Sequence, residues 1–219
     1  MKNDSPINVL FLTGIEDPHH DFDAISAVFK HFLSEVNISI TITKNLDDLL
    51  DDKLKPYDVI ISNAMNFTLS KAHETALLEA IIGNPWGTTG DPKGFVGIHG
   101  ASANFLNSRA YLNMLGGRFL IHPVTDDYMY KVENVDHPIM TGVDHFTLRS
   151  ELYLMETYPP YDVLLYSDYQ GFKRPIAWSK PYGLGRVCYL GLGHDVQEVS
   201  CTEFQRMVIN AVKWTSQKQ

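Results

Sequence analysis

Most of the features by which a sequence declares its chemistry are missing from this chain. It has two cysteines, no run of basic residues and no apolar segment approaching the 18 residues of a membrane-crossing helix. Cys188 and Cys201 are spaced for neither a zinc ribbon nor a CxxC redox pair, so both are expected to be reduced and structural. A formal net charge of −8 without a basic cluster argues against a nucleic-acid partner, because binding phosphates takes grouped Lys and Arg. The apolar run Val9–Leu12 is too short, and its lead-in too polar, for a signal peptide. The expectation is therefore a cytoplasmic chain with no membrane partner. The catalytic patterns G-x-S-x-G, GxxxxGK[ST], HExxH and a GxGxxG opening a helix are also absent.

What is present is an ordinary globular composition, 44% hydrophobic and 20% charged, with buried strands alternating with amphipathic helices. "INVLFLT" (7–13), "ISITIT" (38–43), "YDVIISNA" (57–64) and "FVGIH" (95–99) read as strands. Between them, "DAISAVFKHFLSEV" (23–36), the short acidic "LDDLLDDKL" and "SKAHETALLEAIIG" (70–83) carry helical spacing, and another helix is predicted over 101–114. Such alternation predicts an α/β fold, a mostly parallel sheet with helices on both faces. The second half is richer in strands, among them "YMYKVEN", "HFTLRSELYLM", "VLLYSDY", "RPIAWSK" and "GRVCYLGLG", before a closing helix over 202–216.

In open parallel sheets ligands sit beyond the carboxyl ends of the strands, which selects the polar residues to weigh. "TGIEDPHHDF" follows the first strand and offers His19, His20 and Asp21 for metal binding or proton exchange, although Asp21 as a helix cap explains the same letters. "GIHGASAN" closes a buried strand on His99 and continues in small residues to Asn104, leaving room for a ligand against the backbone. "GLGHD" ends another strand with His194 between two flexible points and an acid. "SELYLM" sets Glu151 among apolar and aromatic residues, where a carboxylate needs a cation, a metal or an outward turn. "GRFLIHP" adds Arg118 and His122, and "GLGRV" adds Arg186, residues more often found at turns or on the surface.

Taken in order, "VLFLTG" with "HHDF", "GFVGIHGASANF", "LGGRFLIHP", "HPIMTGVDHFTLRSELY" and "GRVCYLGLGHD" resemble the ThuA-like, trehalose-utilization family over residues 9–214. The resemblance implies a single domain over 1–219 with a three-layer α/β/α sandwich, the class I glutamine amidotransferase-like (flavodoxin-like) fold. In the amidotransferases the elbow after the strand holds a cysteine nucleophile; here "GIHGA" puts His99 there, so glutaminase chemistry through a thioester is not expected. His99 is instead a proton shuttle, a metal ligand or an anchor for substrate.

The resemblance further implies breakdown of trehalose, a related glycoside or a keto-sugar, with His20, His99, Glu151 and His194 on the family's recurrent polar positions. The family's acidic pair before Leu-Tyr reads Ser150-Glu151 here, leaving one carboxylate. Two readings stand. In one, the chain is an enzyme with His99 and Glu151 catalytic and with His20, Asp21, Asn104, Arg118, His122 and His194 binding. Trp86, Phe105 and Tyr153 would stack on the sugar, and His20, His99, His194 and Glu151 would be able to hold a divalent metal such as zinc. In the other, it is a non-catalytic sugar-binding or regulatory module. A homodimer is the default assembly.

Overall fold

A computed structural model describes residues 5–15, 17–83 and 91–218, so Trp86 lies outside the described residues. The chain runs β1 (Ile7–Leu12), α1 (Phe22–Ser34), β2 (Ile38–Thr43), α2 (Asp51–Leu54), β3 (Val59–Ser62), α3 (Lys71–Ile82), β4 (Gly94–Ile98) and α4 (Arg109–Leu115). It continues through β5 (Gly117–Ile121), β6 (Asp126–Val132), β7 (Phe146–Ser150), β8 (Leu154–Thr157), β9 (Asp162–Tyr169), β10 (Phe172–Tyr182) and β11 (Gly185–Leu190), and ends with α5 (Val196–Val199) and α6 (Thr202–Ser216).

The fold is α/β. Nine strands form one sheet in the order β2-β1-β3-β4-β11-β10-β9-β6-β7. From β2 to β11 the neighbours are parallel, as buried apolar runs joined by helices require, and from β11 to β7 they are antiparallel. The strand-rich second half thus extends this sheet, apart from β5 and β8, which pair with each other in a two-stranded sheet. Residues on alternate sides of β1, β3 and β4 enter two cores. Val9, Phe11, Val59, Ile61, Val96 and Ile98 pack with Phe29 of α1 and Phe204, Met207 and Val212 of α6. Leu10, Leu12, Ile60 and Phe95 pack with Leu77 and Ile81 of α3 and with Tyr111 and Leu115 of α4. Helices therefore cover both faces of the parallel part, and its carboxyl edge is left to loops. No helix among the described residues is long and apolar enough to cross a membrane.

Three departures from the sequence pattern matter for the site. The helix expected over 101–114 is split: His99–Ala103 forms a 3-10 turn, and α4 starts only after Ser108, whose hydroxyl accepts from the Tyr111 N–H at 3.0 Å. "GRFLI" is a strand, β5, which the Gly116-Gly117 pair disguised as a helix end; Gly116 does end α4, at φ 93°. Finally, "HFTLRSELYLM" is two strands with a break at Glu151–Tyr153, after which β8 leaves the large sheet and pairs with β5.

Met207 is fully buried in α6 within the first core. Met207→Ala should lower unfolding stability by about 2–5 kcal/mol in urea titrations without changing the position of the strands, because the cavity cannot close completely.

Candidate functional site

The carboxyl edge of the parallel strands gathers side chains from four loops. After β1 the chain turns through Asp17-Pro18-His19-His20. Asp17 Oδ1 accepts from the His19 backbone N–H at 2.9 Å and from the His20 ring at 2.9 Å. Because a carboxylate only accepts, the proton of a neutral His20 sits on Nδ1, and its Nε2 carries a bare lone pair. Phe22, the first residue of α1, stacks on the His20 ring with centroids 5.3 Å apart and fixes its plane. Asp21 caps the helix by accepting from the Ala24 N–H at 2.9 Å.

His99 follows β4 directly and stands in the left-handed region, at φ 39°, where a residue with a Cβ is strained. The conformation is held by Tyr189, whose hydroxyl donates to the His99 carbonyl at 3.0 Å, and by Ser102, whose hydroxyl lies 3.1 Å from the same oxygen. Gly100 follows, and a Cβ there would come within 3.1 Å of the Asn63 carbonyl. The turn aims the imidazole along the sheet edge, where its Nδ1–H donates to the Gly191 carbonyl at 3.1 Å. Its Nε2, fully enclosed, has no hydrogen-bond partner. Burial pushes the His99 pKa down to about 4 against the opposing pull of Glu151 and the Gly191 carbonyl, so the ring is neutral at pH 7.

After β11, Gly193 adopts φ 112° and brings His194 into the same space. His194 Nδ1 stands 3.2 Å from His20 Nε2 and 3.4 Å from Glu151 Oε2. Glu151 arrives from the other side, in the break between β7 and β8. Its Oε2 lies 3.6 Å from His99 Nε2, outside hydrogen-bond range, and its Oε1 lies 3.6 Å from Nε2 of His122, the residue after β5. The small β5–β8 sheet is thus a bracket that hangs His122, Glu151 and Tyr153 over the histidines of the large sheet. Tyr153 lies over the His99 ring at 3.9 Å and against Phe119 at 4.2 Å, sealing that side.

Burial draws the Glu151 carboxyl upward, but His99, His194 and His122 together prevail and hold it well below the usual carboxylate range. It is ionised at neutral pH. His194 is lowered chiefly by burial, with Glu151 opposing. His20, His99 and His194 each offer one ring nitrogen, all within 4.8 Å of one another. Outside His20, between the loops after β1 and β11, opens a cavity of about 930 Å³ lined among others by Asp17, His19, Asp21, Lys44 and Asp195.

A sequence profile of the ThuA family, described as trehalose utilisation, matches residues 8–215. The chain belongs to the ThuA family. Its structure is similar to a ThuA-like protein from Parabacteroides merdae (TM-score 0.82, 17% identity, covering 97% of this chain and 90% of that one). It is similar also to a ThuA-like protein from Bacteroides uniformis (TM-score 0.77, 21% identity, 96% and 91% covered). A cytoplasmic protein from Salmonella typhimurium shares the fold at TM-score 0.68 and 12% identity, covering 95% and 99%. No curated protein sequence matches the chain.

Against the residues expected from the sequence, this ThuA chain brings together His20, His99, Glu151, His194 and His122. It does not bring in Arg118, which is exposed on β5 and pairs with Glu156 of β8 at 2.5 Å. Asn104 lies buried beside the split helix, where its Oδ1 accepts from the Phe67 N–H at 2.9 Å. Asp21 reaches the outer cavity but spends one carboxylate oxygen on its cap. Phe105 is core, packed edge-on against Tyr111, and cannot stack on a sugar. Arg186 donates to the Trp214 carbonyl at 2.9 Å. Cys188 and Cys201 are free thiols, the first wholly buried. Two participants were not expected. Asp17, three residues before His20, was signalled only by that spacing, and Glu198 by an Asp-x-x-Glu capping pattern after β11.

His99 links pH to stability. Its folded pKa lies below the unfolded value of 6.5, so its neutral form favours the fold fully above pH 6.5, and that contribution drains away as pH falls toward 4. The loss is about 3 kcal/mol for a drop of some 2.5 pH units. Denaturant titrations of the metal-free protein at pH 7 and pH 4 should show that loss reduced in His99→Asn relative to the parent. The opposite contribution of Glu198, raised to about 7 by burial, is common to both chains and cancels.

Proposed function

We propose that this ThuA chain is an enzyme of carbohydrate catabolism that acts on trehalose, a related glycoside or a keto-sugar, with His20, His99 and His194 holding a divalent cation such as zinc beside Glu151. We further infer that the layers form the three-layer sandwich of the class I glutamine amidotransferases, with glutaminase activity lost because His99 occupies the elbow. The expected setting is the cytoplasm and the expected partner a small carbohydrate. The family, trehalose utilisation, supplies the substrate class.

One observation carries the cation. His99 spends its only proton on the Gly191 carbonyl, which leaves a buried lone pair facing a carboxylate oxygen at 3.6 Å. Two acceptors in that relation repel unless a positive centre or a donor lies between them. Four ligands roughly 2.1 Å from a tetrahedrally held ion stand about 3.4 Å apart. Of the three imidazoles, His20 Nε2 and His194 Nδ1 stand 3.2 Å apart, and one nitrogen of each of the three lies within 4.8 Å of the others, which leaves the fourth position beside Glu151 for a substrate oxygen. Asp17 behind His20 and the Gly191 carbonyl behind His99 supply the outer hydrogen bonds that orient imidazole ligands.

A zinc ion bound there would supply Lewis-acid polarisation of a substrate oxygen. The protein's own groups then divide the remaining work. Glu151, ionised and flanked by imidazoles, accepts a proton from a hydroxyl of the bound sugar. His122, half exposed on the far carboxylate oxygen, exchanges that proton with solvent. Tyr153 and Phe119 shield His99 from water.

A non-catalytic sugar-binding module is the second reading, favoured by the complete burial of His99. Metal analysis and turnover separate the two. The enzyme reading expects about one zinc per chain, with Asp17→Asn weakening zinc about 10–100-fold. It also expects Glu151→Gln to lower turnover of a keto-sugar or disaccharide about 10²–10⁴-fold. Zinc binding and sugar-dependent shifts of the histidine signals without conversion of any tested sugar would leave the binding module. A parent protein that takes up no divalent ion removes the metal.

A further inference from the structure

The loop that carries His194 and the break that carries Glu151 are far apart in sequence, yet their side chains meet at 3.4 Å. Between them lies Glu198, 1% exposed, in the four-residue helix α5. Asp195 caps that helix by accepting from the Glu198 N–H at 2.8 Å. In the usual capping box the glutamate would reach back to the N–H of the capping residue itself. Glu198 reaches further. Its Oε2 accepts from the Gly193 N–H at 2.6 Å and the His194 N–H at 3.1 Å, while Oε1 has no hydrogen-bond partner. The Glu151 backbone N–H acts on the same carboxyl, favouring its charged form along with the other two. Gly193 itself passes close to the core, where a Cβ would come within 2.6 Å of Ile98.

A buried acid is a costly way to finish one turn of helix, and ordinary capping does not need it. Its hydrogen bonds go instead to the backbone of one member of the histidine cluster and the residue before it, with the backbone of the facing acid alongside. From this placement we propose that Glu198 is a positioning residue, whose carboxylate sets the separation of His194 from Glu151 and with it the fit of the cluster to a divalent cation. The inference rests on the metal reading given above. It assigns Glu198 no contact with substrate or ion.

Removing or shortening the acid tests it. Glu198→Ala deletes the acceptor, Glu198→Asp withdraws it by one methylene, and Glu198→Gln keeps an oxygen for the two N–H groups. Zinc affinity, measured by competition with a chromophoric chelator, is expected to weaken about 10–100-fold in the Ala and Asp variants, the usual consequence of losing an outer support, with Gln close to the parent. Thermal unfolding in excess chelator reports the purely structural effect. Ala and Asp variants that are less stable but bind zinc like the parent overturn the inference, and if Ala does not fold, Asp carries the test.

Should the parent bind no zinc, the metal reading falls and the inference is judged on crystal structures of the metal-free variants. A His194–Glu151 separation wider than in the parent sustains it. An unchanged 3.4 Å overturns it.

Discussion

A neutral imidazole has one proton to place, and at His99 the Gly191 carbonyl takes it. What is left is a lone pair sealed inside the protein and facing a carboxylate. The same logic runs around the cluster: Asp17 takes the proton of His20, so the nitrogen that meets His194 is the bare one. These backbone and carboxylate partners are fixed by the fold, and they decide which atoms converge and with what sign. His194 Nδ1 is the nitrogen placed to donate to His20 Nε2, and the His99 lone pair is left without a donor.

The elbow beneath His99 explains why the fold tolerates this. A non-glycine residue at φ 39° costs on the order of 1–3 kcal/mol and persists only where its surroundings over-determine it. Here Tyr189, Ser102 and the close approach of Gly100 to the loop after β3 do so, with Tyr189 anchored in the second hydrophobic core. Moving His99 off the elbow would relieve the backbone but would release the ring from Gly191, and both tautomers would become accessible. The strain and the fixed lone pair are two results of one arrangement.

The parallel half of the molecule was legible because its signals are local and periodic. Continuous apolar runs named β1, β3 and β4, an alternating one named β2, and the rule that ligands gather at strand carboxyl ends pointed to His20, His99 and His194. The second half was less legible because its decisive events depend on distant partners. Gly116-Gly117 reads equally well as a helix stop and as the start of a strand, and only pairing of β5 with β8 selects the second. The break at Glu151–Tyr153 has no proline or glycine to announce it. Its neighbour Ser150 is held by the Tyr130 hydroxyl, and Leu152 turns fully into the core, a choice set by tertiary packing rather than by propensity. Arg118 pairs with Glu156 instead of joining the cluster for the same reason: on a strand a shift of one residue exchanges the two faces, and the unrecognised strand hid the choice.

That dependence on distant partners also separates the roles within the site. The three histidines stand on the parallel sheet, whose strand ends are fixed by neighbours on both sides. Glu151 and His122 stand beside the two-stranded β5–β8 bracket, which meets the body where Tyr153 lies over the His99 ring and where Gly117 abuts Trp178 of β10. Ligand geometry has to be kept within tenths of an ångström, whereas a group that moves protons has to approach and withdraw. A rigid floor of imidazoles under a lighter bracket bearing the acid matches that division. It also accounts for why Glu198 is anchored to His194 on the floor while sitting beside the backbone of Glu151 in the bracket.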